Sequence, residues 1–461
     1  MIPLTLAAIA EITGASLGPF TGPAALARSV VIDSRQAGPG VLFAALPGER
    51  VDGHDFAVAA IEKGAVAVLA SRPVGVPALI TPDVPAALAA LARAVTDALP
   101  GLAIAGITGS VGKTTTKDLA AQLIERLGPT VAPYGSYNNE IGHPLTVLRV
   151  TEETRYLVLE LSARGAGHIA QLCQIAPPRL GAVLCVGHAH TGEFGGLAEV
   201  ALAKGELPAA LPPDGVALLN ADDTLVLAMA ERTAARVVTF GVHDRATVRA
   251  AGVTLDGQGR AGFTLVTPHG SAPVRLRLLG AHNVVNALAA AALAGELGMG
   301  VADVAYALSA ATNRSKWRME VTARPDGVTV INDAYNANPE AMAAALETLA
   351  TVARGRRSFA VLGHMNELGD ESPQWHEQVG GLAAQAGVAG LIVVGEDAAP
   401  MLTGAKAERS WHGELIGVPD AGSAVAVLGN LLAPGDVVLV KASRAAGLEH
   451  VALALTGEAA Q

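Results

Sequence analysis

From residue 102 onward, short apolar runs alternate with longer helical stretches. The runs are AIAGI, YLVLEL, AVLCVG, GVALLN and RVVTFG, with Gly, Asp or Pro in the turns between them. Runs of this length bounded by turn residues read as buried strands, and the rhythm indicates βα units around a mainly parallel sheet. The texture changes between about Thr247 and Leu279, where VRAAGVTL, AGFTLVT and PVRLRLL alternate apolar and polar positions like antiparallel strands. Helix resumes at GAHNVVNALAAAALAGELG. A second βα series opens near Gly327 with VTVIND and continues through SFAVLG, GLIVVG and DVVLVK, separated by Ala-rich helical stretches. That pattern predicts a doubly wound, Rossmann-like unit. The first hundred residues, with VVIDSR and VLFAAL, form a smaller α/β unit. The expectation is an α/β protein of three domains, 1–98, 99–314 and 315–461. The central one is a parallel-sheet domain carrying a phosphate loop and a few antiparallel strands.

Composition narrows the function classes. The 461 residues suit about three domains on a soft prior of roughly 150 residues each. With 32 basic against 42 acidic residues the formal charge is -10, which gives no general reason to bind nucleic acid or anionic lipid. Any anionic substrate must be held by local cations. Cys173 and Cys185 lie outside any paired-Cys metal spacing, which points to a reducing compartment rather than a disulfide or zinc framework. The first residues lack a basic segment and meet Glu11 early, unlike a secretory signal. Apolar runs are cut by Arg93, Asp97, Pro100 and Gly101, short of the roughly 20 residues of a membrane span. The expected protein is cytoplasmic, not membrane-inserted, and monomeric.

The strongest local signal is AIAGITGSVGKTTTKDLAAQL, a strand, a Gly/Ser turn and a helix. Backbone N–H groups of Gly109, Ser110, Val111, Gly112, Thr114 and Thr115 can close around phosphate, Lys113 can reach the terminal phosphates, and a threonine such as Thr114 can hold magnesium. The glycines are Gly106, Gly109 and Gly112, so the spacing departs from the usual phosphate-loop pattern, whose first Gly would fall at Ile107. Farther on, Asn138 and Asn139 beside Gly142 and Pro144 read by themselves as a turn. Glu160 ends a buried-strand pattern, where a carboxylate faces the ligand crevice of a parallel sheet. Asn283 and Asn286 share a helix face. His188 and His190 follow another strand end, where a histidine is more often a structural hydrogen bonder than a ligand. Lys204, on a helical stretch, reads as an ordinary solvated cation.

TGSVGKTTT resembles the nucleotide loop of the Mur ligases and of their relatives, the folylpolyglutamate synthases. The N-N-x-x-G-x-P stretch, the G-x-H-N-x-x-N stretch at 280–286 and the segment VVIDSRQAGPGVLFAALPGERVDGHDF resemble Mur-ligase motifs, and DAYNANP, VLGHMNELGDES and KASR resemble its D-alanyl-D-alanine-adding branch. The resemblance implies ATP and magnesium as cofactors, and a UDP-N-acetylmuramoyl-tripeptide and D-alanyl-D-alanine as substrates. It implies an acyl-phosphate route to the amide. By the same resemblance Ser34, Arg35, Asp52, Gly53 and His54 hold the UDP-muramoyl end, and Asn138, Asn139, Tyr335, Asn336 and Asn338 lie against the substrates. His282, Asn283 and Asn286 meet the adenine side of ATP, Arg318 its phosphate and Asp333 its ribose. Thr114, Glu160 and His190 become metal contacts, joined by Lys204 if it carries a carbamate. Lys113, Lys204, His190 and Arg318 form the expected catalytic set. Ser162 and Trp317 stand where Gly is common in the family, and His364 where an acidic residue is expected. Two rivals remain at this point: another amino-acid ligase of this kind, or a nucleotide-driven switch that forms no amide.

Overall fold

A computed structural model describes residues 1–48, 51–188 and 194–457, whose strands form four sheets. The first hundred residues build a five-stranded sheet in the order Ser16–Leu17, Ala78–Ile80, Ala67–Ala70, Val41–Ala44, Ser29–Val31, parallel except at the Ser16–Leu17 edge. A two-stranded antiparallel ladder, Leu4–Thr5 with Leu26–Ala27, sits beside it. The helix Val84–Asp97 closes this unit. Asp83 caps it by accepting the Ala86 N–H at 2.9 Å, satisfying a donor that the helix start would otherwise leave free. Leu88, Leu91 and Val95 on this helix are fully buried, in one apolar cluster with Leu6 and Ile9 on one side and Val147, Ile169 and Leu172 on the other. The core therefore runs without a break from the first unit into the central one.

The central sheet has nine strands in the order Gly270–Leu279, Arg260–Thr267, Val248–Leu255, Arg236–Gly241, Val216–Asn220, Leu180–Val183, Ala103–Thr108, Tyr156–Glu160, Thr130–Val131. Neighbours from Thr130–Val131 to Val248–Leu255 pair parallel. The last two ladders are antiparallel, as the alternating texture of 247–279 predicts. The Ala-rich helix Asn283–Glu296 is apolar nearly all round and correspondingly buried, packed against both this sheet and the neighbouring helix Lys113–Ile124.

The C-terminal sheet runs Glu320–Ala323, Thr329–Asn332, Val437–Lys441, Ser358–Gly363, Gly390–Val394, Glu414–Val418, with only the first strand antiparallel. Its four inner strands are near-continuous apolar runs because both faces are covered. One core packs under the helices Pro339–Val352, Ser372–Gln385 and Pro400–Ala407, the other under Ala421–Leu431 and Glu449–Thr456. This is the doubly wound arrangement that the second βα series predicts. Among the described residues no helix is long and apolar enough to cross a membrane.

Two helices of this unit, Ser372–Gln385 and Pro400–Ala407, touch through their backbones. A Cβ at Gly404 would lie 1.7 Å from the Glu377 carbonyl oxygen, and one at Gly380 would lie 1.9 Å from that of Met401. Gly404→Ala should therefore force the pair apart and cost about 1–3 kcal/mol. Gly429→Ala, on a helix where a Cβ meets nothing within 4 Å, should be neutral or stabilising by about 0.5–1 kcal/mol. Urea unfolding of the two variants beside the parent checks the contrast.

Candidate active site

The strand Ala103–Thr108 delivers the chain into Gly109–Gly112, and the helix Lys113–Ile124 leaves it. Gly109 and Gly112 have positive φ, 158° and 82°. At Gly112 the requirement for glycine is twofold, since a Cβ would also come within 2.3 Å of Asn286 Oδ1. The loop is braced from the neighbouring strand end. The Gly187 N–H donates to Ser110 Oγ at 2.8 Å, the Ser110 hydroxyl donates to the Gly187 carbonyl at 3.1 Å, and the Ser110 N–H reaches the Cys185 carbonyl at 3.0 Å. Lys113 Nζ donates to the Gly109 carbonyl at 2.7 Å, and burial pushes its pKa down.

This loop forms one wall of a cleft of about 860 Å³, whose opposite wall comes from the C-terminal unit. Arg318 crosses it. Its Nη2 donates to Thr114 Oγ1 at 3.0 Å and to Ser136 Oγ at 3.4 Å, and its guanidinium lies 4.2 Å from the centre of the Tyr335 ring. The segment before Arg318 is clamped to the phosphate-loop helix. Gln122 Nε2 donates to the Thr312 carbonyl at 2.9 Å, Arg314 pairs with Glu125 at 2.5 Å, and the Ser315 N–H reaches Asp118 Oδ2 at 3.0 Å. Trp317 and Met319, on either side of Arg318, are left-handed at φ 58° and 52°. That geometry explains why the Trp317 position suits glycine, and Arg444 packs 4.3 Å over the Trp317 ring.

The structure gathers most of the expected residues here. Residues 110–115, Asn138, Asn139, Glu160, His282, Asn283, Asn286, Arg318, Asp333, Tyr335, Asn336 and Asn338 all line the cleft. Several side chains are already committed. Asn283 Nδ2 donates to the Leu279 carbonyl at 2.6 Å, and Asn286 Nδ2 to Asn283 Oδ1 at 2.9 Å. Asp333 accepts the Met319 N–H at 3.0 Å and pairs with Lys441 at 2.5 Å. Asn338 caps the helix Pro339–Val352 through the Ala341 N–H at 2.8 Å. Ser162 donates its N–H to the Asn138 carbonyl at 3.1 Å. His364 stacks on His376 with ring centres 4.9 Å apart.

Ser34, Arg35, Asp52, Gly53 and His54 do not line this cleft. They follow the carboxyl ends of adjacent parallel strands in the first unit. His54 is buried, with Nε2 accepting the Ser71 N–H at 3.1 Å, so Nδ1 carries the proton that it shares with Asp52 at 2.6 Å. The His54 backbone N–H, its ring and Arg72 together hold the Asp52 carboxyl well below the usual range. Arg35 is exposed and folded back on Asp33.

The oxygen donors present suit a hard dication. Glu160 Oε1 accepts from Asn138 Nδ2 at 2.6 Å, while Glu160 Oε2 is buried and has no hydrogen-bond partner. Such an orphaned carboxylate oxygen, in a cleft that the Thr114 hydroxyl also lines, is the donor chemistry that magnesium favours. His190 lies outside the described residues, and among those described no group of three or more His, Cys, Asp or Glu is placed to hold a metal. Lys204 is buried behind the loop rather than in the cleft lining. Burial first, and then the charge of Lys113, lower its pKa to about 7.

Sequence reasoning assigned no role to Ser136, Cys185, Lys441 or Glu340, which also line the cleft. Ser136 stands two residues before Asn138, Lys441 ends an apolar strand and Glu340 follows DAYNANP, so each carried a positional signal.

The chain matches three family descriptions: "Mur ligase family, catalytic domain" over residues 27–105, "Mur ligase middle domain" over 107–294 and "Mur ligase, glutamate ligase domain" over 317–444. It is 49% identical over 502 aligned positions to the UDP-N-acetylmuramoyl-tripeptide--D-alanyl-D-alanine ligase of Mycobacterium tuberculosis H37Rv, covering 99% of this chain and 98% of that one. It is 37% identical to the Escherichia coli K12 ligase of the same name, with 99% of each chain covered. Among solved structures, a MurF crystal structure from Acinetobacter baumannii superposes with TM-score 0.88 at 31% identity over 99% of both chains. The Thermotoga maritima MurF ligase in complex with ADP gives 0.80 at 28% identity, covering 94% of this chain and 97% of that one. The near-full-length likeness to ligases, with a phosphate loop facing an arginine borne by a second α/β unit, marks the protein as an enzyme of the ligase class. The chain belongs to the Mur ligase family.

The lowered pKa of Lys204 has a sign that can be checked. In the unfolded chain the amine keeps its proton up to its ordinary value of 10.5, whereas in the folded chain it loses it near 7. Between those limits the unfolded state binds more protons, so stability rises with pH; the burial penalty is full below pH 7 and absent above 10.5. In carbonate-free buffer, Lys204→Met should flatten that rise in melting temperature. An unchanged pH profile would contradict the burial of a free amine there.

Proposed function

We propose that the chain is an ATP- and magnesium-dependent ligase that joins D-alanyl-D-alanine to UDP-N-acetylmuramoyl-tripeptide, acting as a monomer in the cytoplasm. The observation that carries this reading is Arg318 reaching Thr114 across a cleft lined by the phosphate loop on one side and by Tyr335, Asn336 and Asn338 on the other. The near-full-length likeness to ligases bearing that name supports the substrates. The free cysteines support a reducing compartment.

A carboxylate oxygen of the precursor attacks the γ-phosphorus of ATP, and the bond to the ADP oxygen breaks. The amine nitrogen of the dipeptide then attacks the acyl carbon, phosphate departs, and the nitrogen gives up its surplus protons. Both steps bring negative charge together, so fixed cations lower the barrier by meeting charge that spreads over the transferring phosphate. Lys113 and Arg318 are the chain's own cations for that task. Thr114 and Glu160 would hold magnesium, together with His190 and a carbamate on Lys204. When bound, the metal neutralises the terminal phosphates. An amine with a pKa of about 7 is substantially neutral in the cell, and its lone pair can bond to the carbon of carbon dioxide with loss of one proton. The buried cation becomes an anionic oxygen donor. In the first unit, Ser34 and Arg35 at the strand ends suit the UDP-muramoyl end, with Asp52, Gly53 and His54 shaping that crevice.

Mass spectrometry of the purified protein with ATP, magnesium, UDP-muramoyl-tripeptide and D-alanyl-D-alanine should show the pentapeptide product with ADP and phosphate. ATP turnover without amide would instead identify a switch protein. Lys113→Ala should lower ligation by about 100-fold or more with the fold intact. Lys204→Ala should also cripple it, and acetate should restore part of the activity by filling the vacated anionic position.

A further inference from the structure

The carboxylate of Glu340 is placed in the cleft by constraints that no role so far described explains. Glu340 follows Pro339 at the start of the helix Pro339–Val352, whose direction Asn338 fixes as cap. Its Oε1 accepts the His188 main-chain N–H at 2.8 Å and meets His188 Nδ1 at 2.6 Å, and the His188 ring packs 4.3 Å from that of Trp375. Gly187 leaves room for this contact, since a Cβ there would lie 2.9 Å from Glu340 Oε1. Gly187 is the residue tied in both directions to Ser110 of the phosphate loop. The anionic group is thus anchored one residue from the brace of the loop that grips the terminal phosphates.

Glu340 Oε2 has no hydrogen-bond partner and is covered, although the side chain as a whole keeps 35% of its surface exposed to the cleft. Leaving a shielded carboxylate oxygen unpaired is costly, and placing it beside a phosphate site adds repulsion. The other carboxylates of the cleft have occupations. Asp333 is held by Lys441 and the Met319 N–H, Glu160 lies with Asn138 at the strand end on the opposite wall, Glu367 already engages another group, and Glu140 sits on an exposed loop. A cation arriving with substrate would relieve both penalties at Glu340. The terminal carboxylate torsion is soft, so a small turn presents Oε2 to the cleft.

On the ligase reading above, the amine substrate arrives as an ammonium ion. We infer that Glu340 binds the ammonium end of the incoming amine and fixes where its nitrogen stands relative to the activated acyl group. The carboxylate belongs to the C-terminal unit and its anchor to the central one, so this binding place is complete only when the two walls meet.

The test uses the full-length enzyme with ATP, magnesium and UDP-muramoyl-tripeptide, varying D-alanyl-D-alanine. Glu340→Gln keeps the shape and a carbonyl oxygen for the His188 N–H but loses the charge. It should raise KM for the dipeptide about tenfold or more, leaving KM for ATP and for the precursor within about twofold. Hydroxylamine, uncharged near neutral pH, should still trap the acyl phosphate as hydroxamate at close to the parental rate, because it needs no ammonium site. Glu340→Asp, which retains the charge, should recover part of the dipeptide affinity. An unchanged dipeptide KM overturns the assignment. A parallel rise in all three KM values with lost hydroxamate does so too, since it would make Glu340 a strut between the units. If the parent enzyme forms hydroxamate and amide while Glu340→Gln is unaffected, only this inference fails. If the parent forms neither, the ligase reading itself falls.

Discussion

Three lysines drawn out of water around one cleft set the terms for the rest of the structure. Lys113, Lys204 and Lys441 all have pKa values pushed down by loss of solvent, in a chain whose formal charge is -10. Burying a cation without partners is unfavourable, and each lysine is accommodated differently. Lys113 leans on loop carbonyls and Lys441 on Asp333 and the Asn336 carbonyl, whereas burial brings Lys204 to a pKa of about 7. An acidic protein thereby keeps cationic side chains, Lys113 and Arg318 foremost, at the wall of one cleft.

That concentration needs a rigid frame, and the frame is made of close backbone approaches. Asn286 leaves no room for a side chain at Gly112, Ser110 is laced to Gly187, and the phosphate-loop helix clamps residues 312–315 just before Arg318. The left-handed residues on either side of Arg318 turn its guanidinium back toward Thr114. Strain of this sort persists only where the surroundings over-determine it, as the clamped segment does.

Much of the architecture was legible because strands buried on both faces leave a plain signature. YLVLEL ended on Glu160, the alternation of 247–279 marked the antiparallel ladders, and GSVGKTTT lay between strand and helix as expected. What could not be read was the use of each side chain. Asn283, Asn338 and His54 spend hydrogen-bonding groups on their own surroundings, a choice that depends on neighbours distant in sequence. The link from His188 to Glu340 spans 152 positions, and no local pattern announces it. Lys204 shows the same limit from the other side, since a lysine on a helix gives no sign in sequence that it faces inward.

The unbroken core beneath Val84–Asp97 has a mechanical consequence. Leu88, Leu91 and Val95 are packed at once against Leu6 and Ile9 and against Val147 and Ile169, and Arg93 reaches the Gln174 carbonyl at 2.8 Å. A core shared in this way couples the first unit to the central one far more tightly than a linker between separate cores would. The shared core ties the spacing between the first unit's strand ends and the phosphate loop to its own packing, in the manner of a gauge. A long substrate gripped at one end of such a gauge presents its other end at a set reach, and its length is measured before any bond is made.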